Sequence, residues 1–164
     1  MKNLLALSAG FGLLASAAAA DMTVRLGGGW DGKKIPSGQH CTVHGGKGST
    51  PPMTVSNLPS GTAWIYVEYN DRDYAPLSKK GGHGVIGYPV SGATADLYSV
   101  PGLASKLPGK AKVISAARGT GAYKSGGYMP PCSGGKGNRY FAIVKAISAS
   151  GKQIDKQRVE IGRY

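Results

Sequence analysis

The sequence predicts an all-β domain, a sandwich or a barrel, with at most one minor helix. Two observations lead to this fold class. Segments rich in β-branched and aromatic residues recur along the chain, and apolar and polar residues alternate within them. Glycine and proline, which supply 27 and 10 of the 164 residues, separate these segments at intervals of about ten residues. Many short strands joined by turn-rich loops are typical of sandwiches and barrels.

Six segments are strand candidates. In chain order they are 22–26, 53–56, 62–69, 83–90, 139–147 and 157–161. Segment 62–69 has the strongest signal because it reads Thr-Ala-Trp-Ile-Tyr-Val-Glu-Tyr. Segment 139–147 is apolar enough for a central strand. The only helical candidate is 100–117, and Pro101 and Pro108 limit it to a short helix because proline lacks the N–H that a helix interior needs.

Residues 1–20 are expected to be a signal peptide rather than part of the fold. Lys2 precedes an apolar stretch at 4–14, and the Ala-Ala-Ala sequence at 18–20 fits a cleavage site for export. The apolar stretch is too short for a good membrane span. We therefore expect a periplasmic or secreted protein with a single domain at 21–164 and no membrane span.

The chain is strongly basic, with a formal net charge of +12. Such a charge attracts anionic partners, including lipid headgroups and envelope polymers, but does not choose among them. A solvated basic surface without a dedicated partner is the alternative. Nucleic acid is not expected, because most tyrosines and tryptophans fall in strand candidates rather than on exposed stacking platforms. The lysines that are candidates for a polymer-binding face are Lys33, Lys34, Lys79, Lys80, Lys106, Lys110 and Lys112.

The two cysteines, Cys41 and Cys132, form a disulfide if the compartment is oxidising, and two buried free thiols are the alternative. His40, Cys41 and His44 form a compact group with some metal-ligand character. No second Cys/His cluster is near it in sequence, and a zinc site usually needs four ligands. We therefore expect no metal and no other cofactor.

Asp71, Asp73 and His83 are the most interesting polar residues. The aspartates follow the strongest strand candidate, and His83 opens the next one, so the three side chains meet at one end of a sheet if these strands pair. The alternative is a turn in which the aspartates accept hydrogen bonds from their own backbone. Neither a phosphate-binding P-loop nor the Gly-x-Ser-x-Gly elbow of serine hydrolases is present in the sequence, and we expect no enzyme activity.

Four segments together resemble the phosphatidylethanolamine-binding protein family, also called Raf kinase inhibitor-like proteins. Segment 71–76, Asp-Arg-Asp-Tyr-Ala-Pro, is similar to the family's Asp-Pro-Asp-Ala-Pro motif, with one extra residue and with Arg72 in place of the first proline. The other segments are 35–41 with 49–53, 58–62, and 127–132 with 137–141. This resemblance implies an antiparallel Greek-key β-sandwich with a small anion-accepting pocket.

The resemblance also implies roles for individual residues. The ligand-binding residues it implies are Asp71, His83, Pro130, Pro131, Asn138 and Tyr140. Asn138 stands where the family has a histidine, so one imidazole donor is lost. Arg139 is expected to be a buried structural partner of Asp73.

The function expected from these features is that of a secreted or periplasmic, non-catalytic binding protein. Its ligand would be an anionic small molecule or a phospholipid headgroup. The alternatives are a protein-interaction module, such as a protease inhibitor, and a basic protein that binds envelope polymers. The oligomeric state stays open.

Overall fold

The computed structural model describes residues 20–164, which form eight strands. Apart from Ala20, the predicted signal peptide lies outside the described residues. The strands are β1 Thr23–Leu26, β2 Met53–Ser56, β3 Thr62–Asp71, β4 Val85–Pro89, β5 Thr94–Leu97, β6 Lys112–Ser115, β7 Arg139–Ser148 and β8 Gln153–Arg163. Three short 3₁₀ helices lie in the loops, at Thr42–His44, Ala75–Leu77 and Gly121–Tyr123. Within residues 20–164 no helix has the length and the apolar character needed to span a membrane.

The strands form two antiparallel sheets. One sheet has the order β1-β2-β5, and the other has the order β6-β4-β3-β7-β8. After three strands of the larger sheet, β3, β4 and β6, the chain returns as β7 to lie beside β3. This is the Greek-key arrangement, and it confirms the predicted fold class.

The core lies between the two sheets and follows from the alternation of side chains along each strand. In β3 the buried residues Ile65, Val67 and Tyr69 alternate with partly exposed ones. The small sheet contributes Met53 and Val55 of β2 to the same cluster. The inward-facing residues, which recur at every second position of these strands, thus form one continuous apolar layer between the sheets.

The predicted strands are all present, most of them with shifted ends. Segment 53–56 is β2 without change, whereas β3 and β8 extend beyond the predicted 62–69 and 157–161. The predicted minor helix in 100–117 is wrong, because its last part is β6, a strand that pairs with β4. The β-branched pair Val113 and Ile114 in β6 favours a strand. Strand β5 has little strand propensity of its own and is fixed by its pairing with β2.

Candidate functional site

The ends of three neighbouring strands bring the predicted site residues together. Asp71 is the last residue of β3, and it lies opposite Tyr140 near the start of β7. The backbone N–H of His83, just before β4, donates to the carbonyl of Tyr69 at 2.9 Å. Because β3 is antiparallel to both neighbours, Asp71, His83 and the start of β7 share one end of the sheet.

A pocket of about 610 Å³ opens at this end of the sheet. Its buried lining includes Asp71 and His83, which are 4% and 3% exposed. His44, Arg118 and Lys136 are exposed residues of the lining, and we call these three the basic rim. A further part of the wall is aromatic and apolar, formed by Tyr74, Leu77, Tyr123 and Met129.

His83 has a fixed tautomer. Its Nδ1 lies 2.8 Å from the carbonyl oxygen of Met129, and since a carbonyl only accepts, Nδ1 carries the proton. Burial lowers the pKa of His83 and favours the neutral ring. Its Nε2 is buried and has no hydrogen-bond partner in the described part of the chain. The imidazole thus lines the pocket and has one buried acceptor without a partner.

The Asp71 carboxylate accepts one hydrogen bond within the turn after β3 and one from a residue of the pocket lining. Its Oδ1 accepts from the backbone N–H of Asp73 at 2.9 Å, which is the self-capping turn considered above. Its Oδ2 accepts from the Asn138 side-chain amide at 2.8 Å. Asn138 also lines the pocket, and it stabilises the carboxylate with a neutral donor. Both interpretations of Asp71 thus apply to the same side chain.

Three of the residues implied by the resemblance are not part of the pocket lining. Pro130, Pro131 and Tyr140 are buried and are not among its lining residues. The Tyr140 hydroxyl accepts from the backbone N–H of Cys132 at 3.1 Å, and its ring packs edge-to-face on His83 with centroids 5.3 Å apart. Tyr140 is therefore a positioning residue that holds the imidazole and the Cys132 loop.

The predicted pair of Asp73 and Arg139 forms, but it is not buried. The Arg139 backbone N–H and Nε donate to Asp73 Oδ2 at 2.7 and 3.0 Å. The side chains of Arg139 and Asp73 are 39% and 28% exposed. The adjacent guanidinium lowers the pKa of Asp73 well below its ordinary value. The pair ties the turn after β3 to the start of β7 at the surface.

The disulfide between Cys41 and Cys132 is present, with its Cα atoms 5.2 Å apart. His44 lies beside it, since one of its ring nitrogens and both sulfur atoms lie within 4.8 Å of one another. The sulfurs are bonded to each other and are not thiolate ligands. His40 is outside this group, and its ring stacks on Tyr164 at 4.6 Å.

Sequence analysis did not identify the basic rim as a unit. The sequence indicated His44 only as a candidate metal ligand. Lys136 lies in a glycine-rich loop that matches no binding or catalytic motif. Arg118 lies in a loop after β6, and its guanidinium donates to the carbonyls of the 76–80 loop at 2.8 to 3.1 Å. These bonds connect two loops that form one wall of the pocket.

Comparison with known proteins supports the fold. No family model matches the sequence, and neither does any curated protein. YbcL of Escherichia coli, described as a member of the mammalian phosphatidylethanolamine-binding protein family, is similar in structure. It has a TM-score of 0.57 and 18% identity, and the match covers 88% of this chain and 98% of that one.

A phosphatidylethanolamine-binding protein homologue of Chlamydia trachomatis is also similar. The TM-score is 0.54 with 20% identity, and the match covers 88% of this chain and 97% of that one. Both matches span nearly the whole of the solved chains, so the likeness concerns the complete architecture. This chain therefore has the fold of the phosphatidylethanolamine-binding proteins, as the resemblance in its sequence predicted.

Proposed function

We propose that this protein is a non-catalytic, periplasmic or secreted binding protein that holds a small phosphate-bearing group in the pocket. The observation that carries the proposal is His83, a buried side chain of the pocket lining whose Nε2 has no partner among the described residues. An unpaired buried polar atom is costly, and a ligand that bonds to it removes that cost.

The charges around the pocket support an anionic ligand. Arg118 and Lys136 of the basic rim add positive side chains to the opening, and the chain as a whole carries +12. The Arg118 guanidinium donates to backbone carbonyls, which are neutral acceptors and bring no negative charge to the opening. Asp71 is the one acidic side chain of the lining, and both its oxygens already accept hydrogen bonds.

The absence of catalysis is part of the proposal. Cys132 and Ser133 are nucleophile-type residues of the lining. The Cys132 sulfur is bound in the disulfide, and the Ser133 hydroxyl donates to the carbonyl of Tyr164. Neither is paired with a base that would activate it, as covalent catalysis requires. A disulfide is also consistent with an oxidising compartment.

The test is a titration of the oxidised protein, without residues 1–20, with inorganic phosphate and O-phosphoethanolamine, followed by backbone amide shifts. We expect saturable shifts confined to the pocket lining. Lys136→Gln should weaken binding, because it removes a charge from the basic rim. Lys156→Gln is the matched control, since Lys156 is an exposed residue of β8 outside the lining.

Two results would contradict the proposal. Equal losses in Lys136→Gln and Lys156→Gln, with diffuse shifts that salt removes, would indicate a basic surface that binds polymers. If neither compound gives saturable shifts, the pocket does not bind a phosphate-bearing group and the proposal is wrong. Turnover of O-phosphoethanolamine, measured as released phosphate, would refute the non-catalytic part alone.

A further inference from the structure

The acceptor at the pocket has a specific consequence for the ligand. His83 Nδ1–H donates to the Met129 carbonyl, and the Met129 N–H donates back to the His83 carbonyl, each at 2.8 Å. This reciprocal pair fixes the ring, so it cannot turn to offer Nδ1–H to a ligand. In the neutral ring, Nε2 is then a pure acceptor, and it is satisfied only by a group that brings a hydrogen.

The groups that face His83 do not supply that hydrogen. Asp71, on β3, is an acceptor and favours the charged imidazolium, whereas Arg118, in the loop after β6, opposes it. Tyr140, on β7, meets the imidazole edge-to-face with its ring and forms no hydrogen bond to Nε2. The burial of His83 outweighs the attraction to Asp71 and lowers its pKa.

We propose that the pocket selects oxyanions that carry their own proton, inorganic phosphate or a phosphomonoester in the monoanionic form, whose P–O–H donates to His83 Nε2. The inference rests on the proposed function and adds a ligand class to it. Sulfate has the same tetrahedral shape but no proton near neutral pH. A phosphodiester, as in a phospholipid headgroup, has no P–O–H either.

Proton accounting makes the selection measurable. In the complex, one proton lies between Nε2 and a ligand oxygen, and the phosphate monoanion delivers it. Sulfate binds well only after His83 takes a proton from solvent, which burial opposes. Below the second pKa of phosphate, the bond to His83 should therefore add no pH dependence to the phosphate affinity. The affinity for sulfate should rise about tenfold for each unit that the pH falls.

The experiment compares phosphate with sulfate by amide shifts at about pH 7.5 and about pH 5.5 at constant ionic strength. At the higher pH we expect phosphate to bind roughly tenfold or more tightly, because sulfate leaves a buried acceptor unpaired. The ratio should shrink at the lower pH. Equal affinities at the higher pH, while both ions bind in the pocket, would overturn this inference and leave the proposed function intact. Binding of neither ion would refute the proposed function.

Two further arms identify the source of the donor. His83→Ala removes the acceptor, and since neither ion then gains from bringing a hydrogen, the ratio should fall toward one. The pH series on the unchanged protein decides the matter even if that variant does not fold. Glycerophosphoethanolamine, a phosphodiester with an ammonium group, should bind more weakly than phosphate. If glycerophosphoethanolamine and phosphate bind with equal affinity, the ammonium group rather than a P–O–H supplies the hydrogen to His83, and the inference is overturned.

Discussion

Loss of the disulfide should be the largest single perturbation of stability. Cys41 and Cys132 are 91 residues apart, and in the chain-entropy model a loop of this length stabilises the fold by about 4.6 kcal/mol. Measured losses on removing native disulfides are about 2 to 5 kcal/mol. We therefore expect the Cys41→Ser/Cys132→Ser variant to unfold more easily by an amount near the upper end of this range.

The variant should nevertheless stay folded at room temperature. Domains of this kind have free energies of unfolding of about 5–15 kcal/mol. The segments around the two cysteines also keep contacts that do not involve sulfur. The Cys41 N–H donates to the carbonyl of Pro131, and the Gly46 N–H donates to the carbonyl of Cys41, both at 3.0 Å. These bonds should preserve the local structure.

The assay is urea unfolding followed by circular dichroism, for the oxidised protein and for the double-serine variant. With a slope of about 2 kcal/mol per M, the midpoint should fall by about 2 M. A reductant should lower the midpoint of the unchanged protein equally and leave the variant unaffected. A loss below about 1 kcal/mol at an unchanged slope would refute the loop-closure reasoning.

Three other changes have distinct expected results. Tyr140→Phe removes the hydroxyl that accepts from the Cys132 N–H. It should lower the free energy of unfolding by about 1 kcal/mol in urea unfolding. In the amide titration it should lower the phosphate affinity by less than tenfold. Burial lowers the pKa of His83 from 6.5, so the unfolded chain binds more protons than the folded one as the pH falls. The free energy of unfolding should therefore fall as the pH drops below about 6.5. In urea curves measured at a series of pH values, His83→Gln should reduce this dependence on pH. Gly82→Ala places a Cβ in collision with the Leu77 carbonyl oxygen and should cost about 1–3 kcal/mol in thermal unfolding. Gly27→Ala is the steric control, because its added Cβ makes only ordinary contacts with Pro52, at 3.7 Å.

The sequence was sufficient for the strands that carry strong local signals. β3 and β7 combine β-branched and aromatic residues with a clear two-residue alternation, and both were predicted. β5 and β6 have four residues each, and β5 includes an alanine and an aspartate. Such short strands are determined by their partners, β2 and β4, which local patterns do not reveal.

The candidate site was predictable only in part, for a similar reason. Asp71 and His83 are adjacent to strong strands, so pairing of those strands was enough to bring them to one end of the sheet. Arg118 and Lys136 reach the pocket from long loops, and no spacing rule relates them to β3. The orientation of the His83 ring depends on the carbonyl of Met129, 46 residues away, so the fixed tautomer is a tertiary property.

Salt separates the pocket from the basic surface in a final test. A basic surface that acts by charge alone should prefer sulfate to phosphate, because sulfate is the more highly charged ion near neutral pH, and this preference should decline with salt. The proposed hydrogen bond at buried His83 should be screened much less than the exposed charges are. Raising the salt should therefore weaken sulfate more than phosphate, and the preference for phosphate should widen. If the protein instead prefers sulfate, and added salt abolishes that preference, the acceptor at His83 does not determine which ion binds.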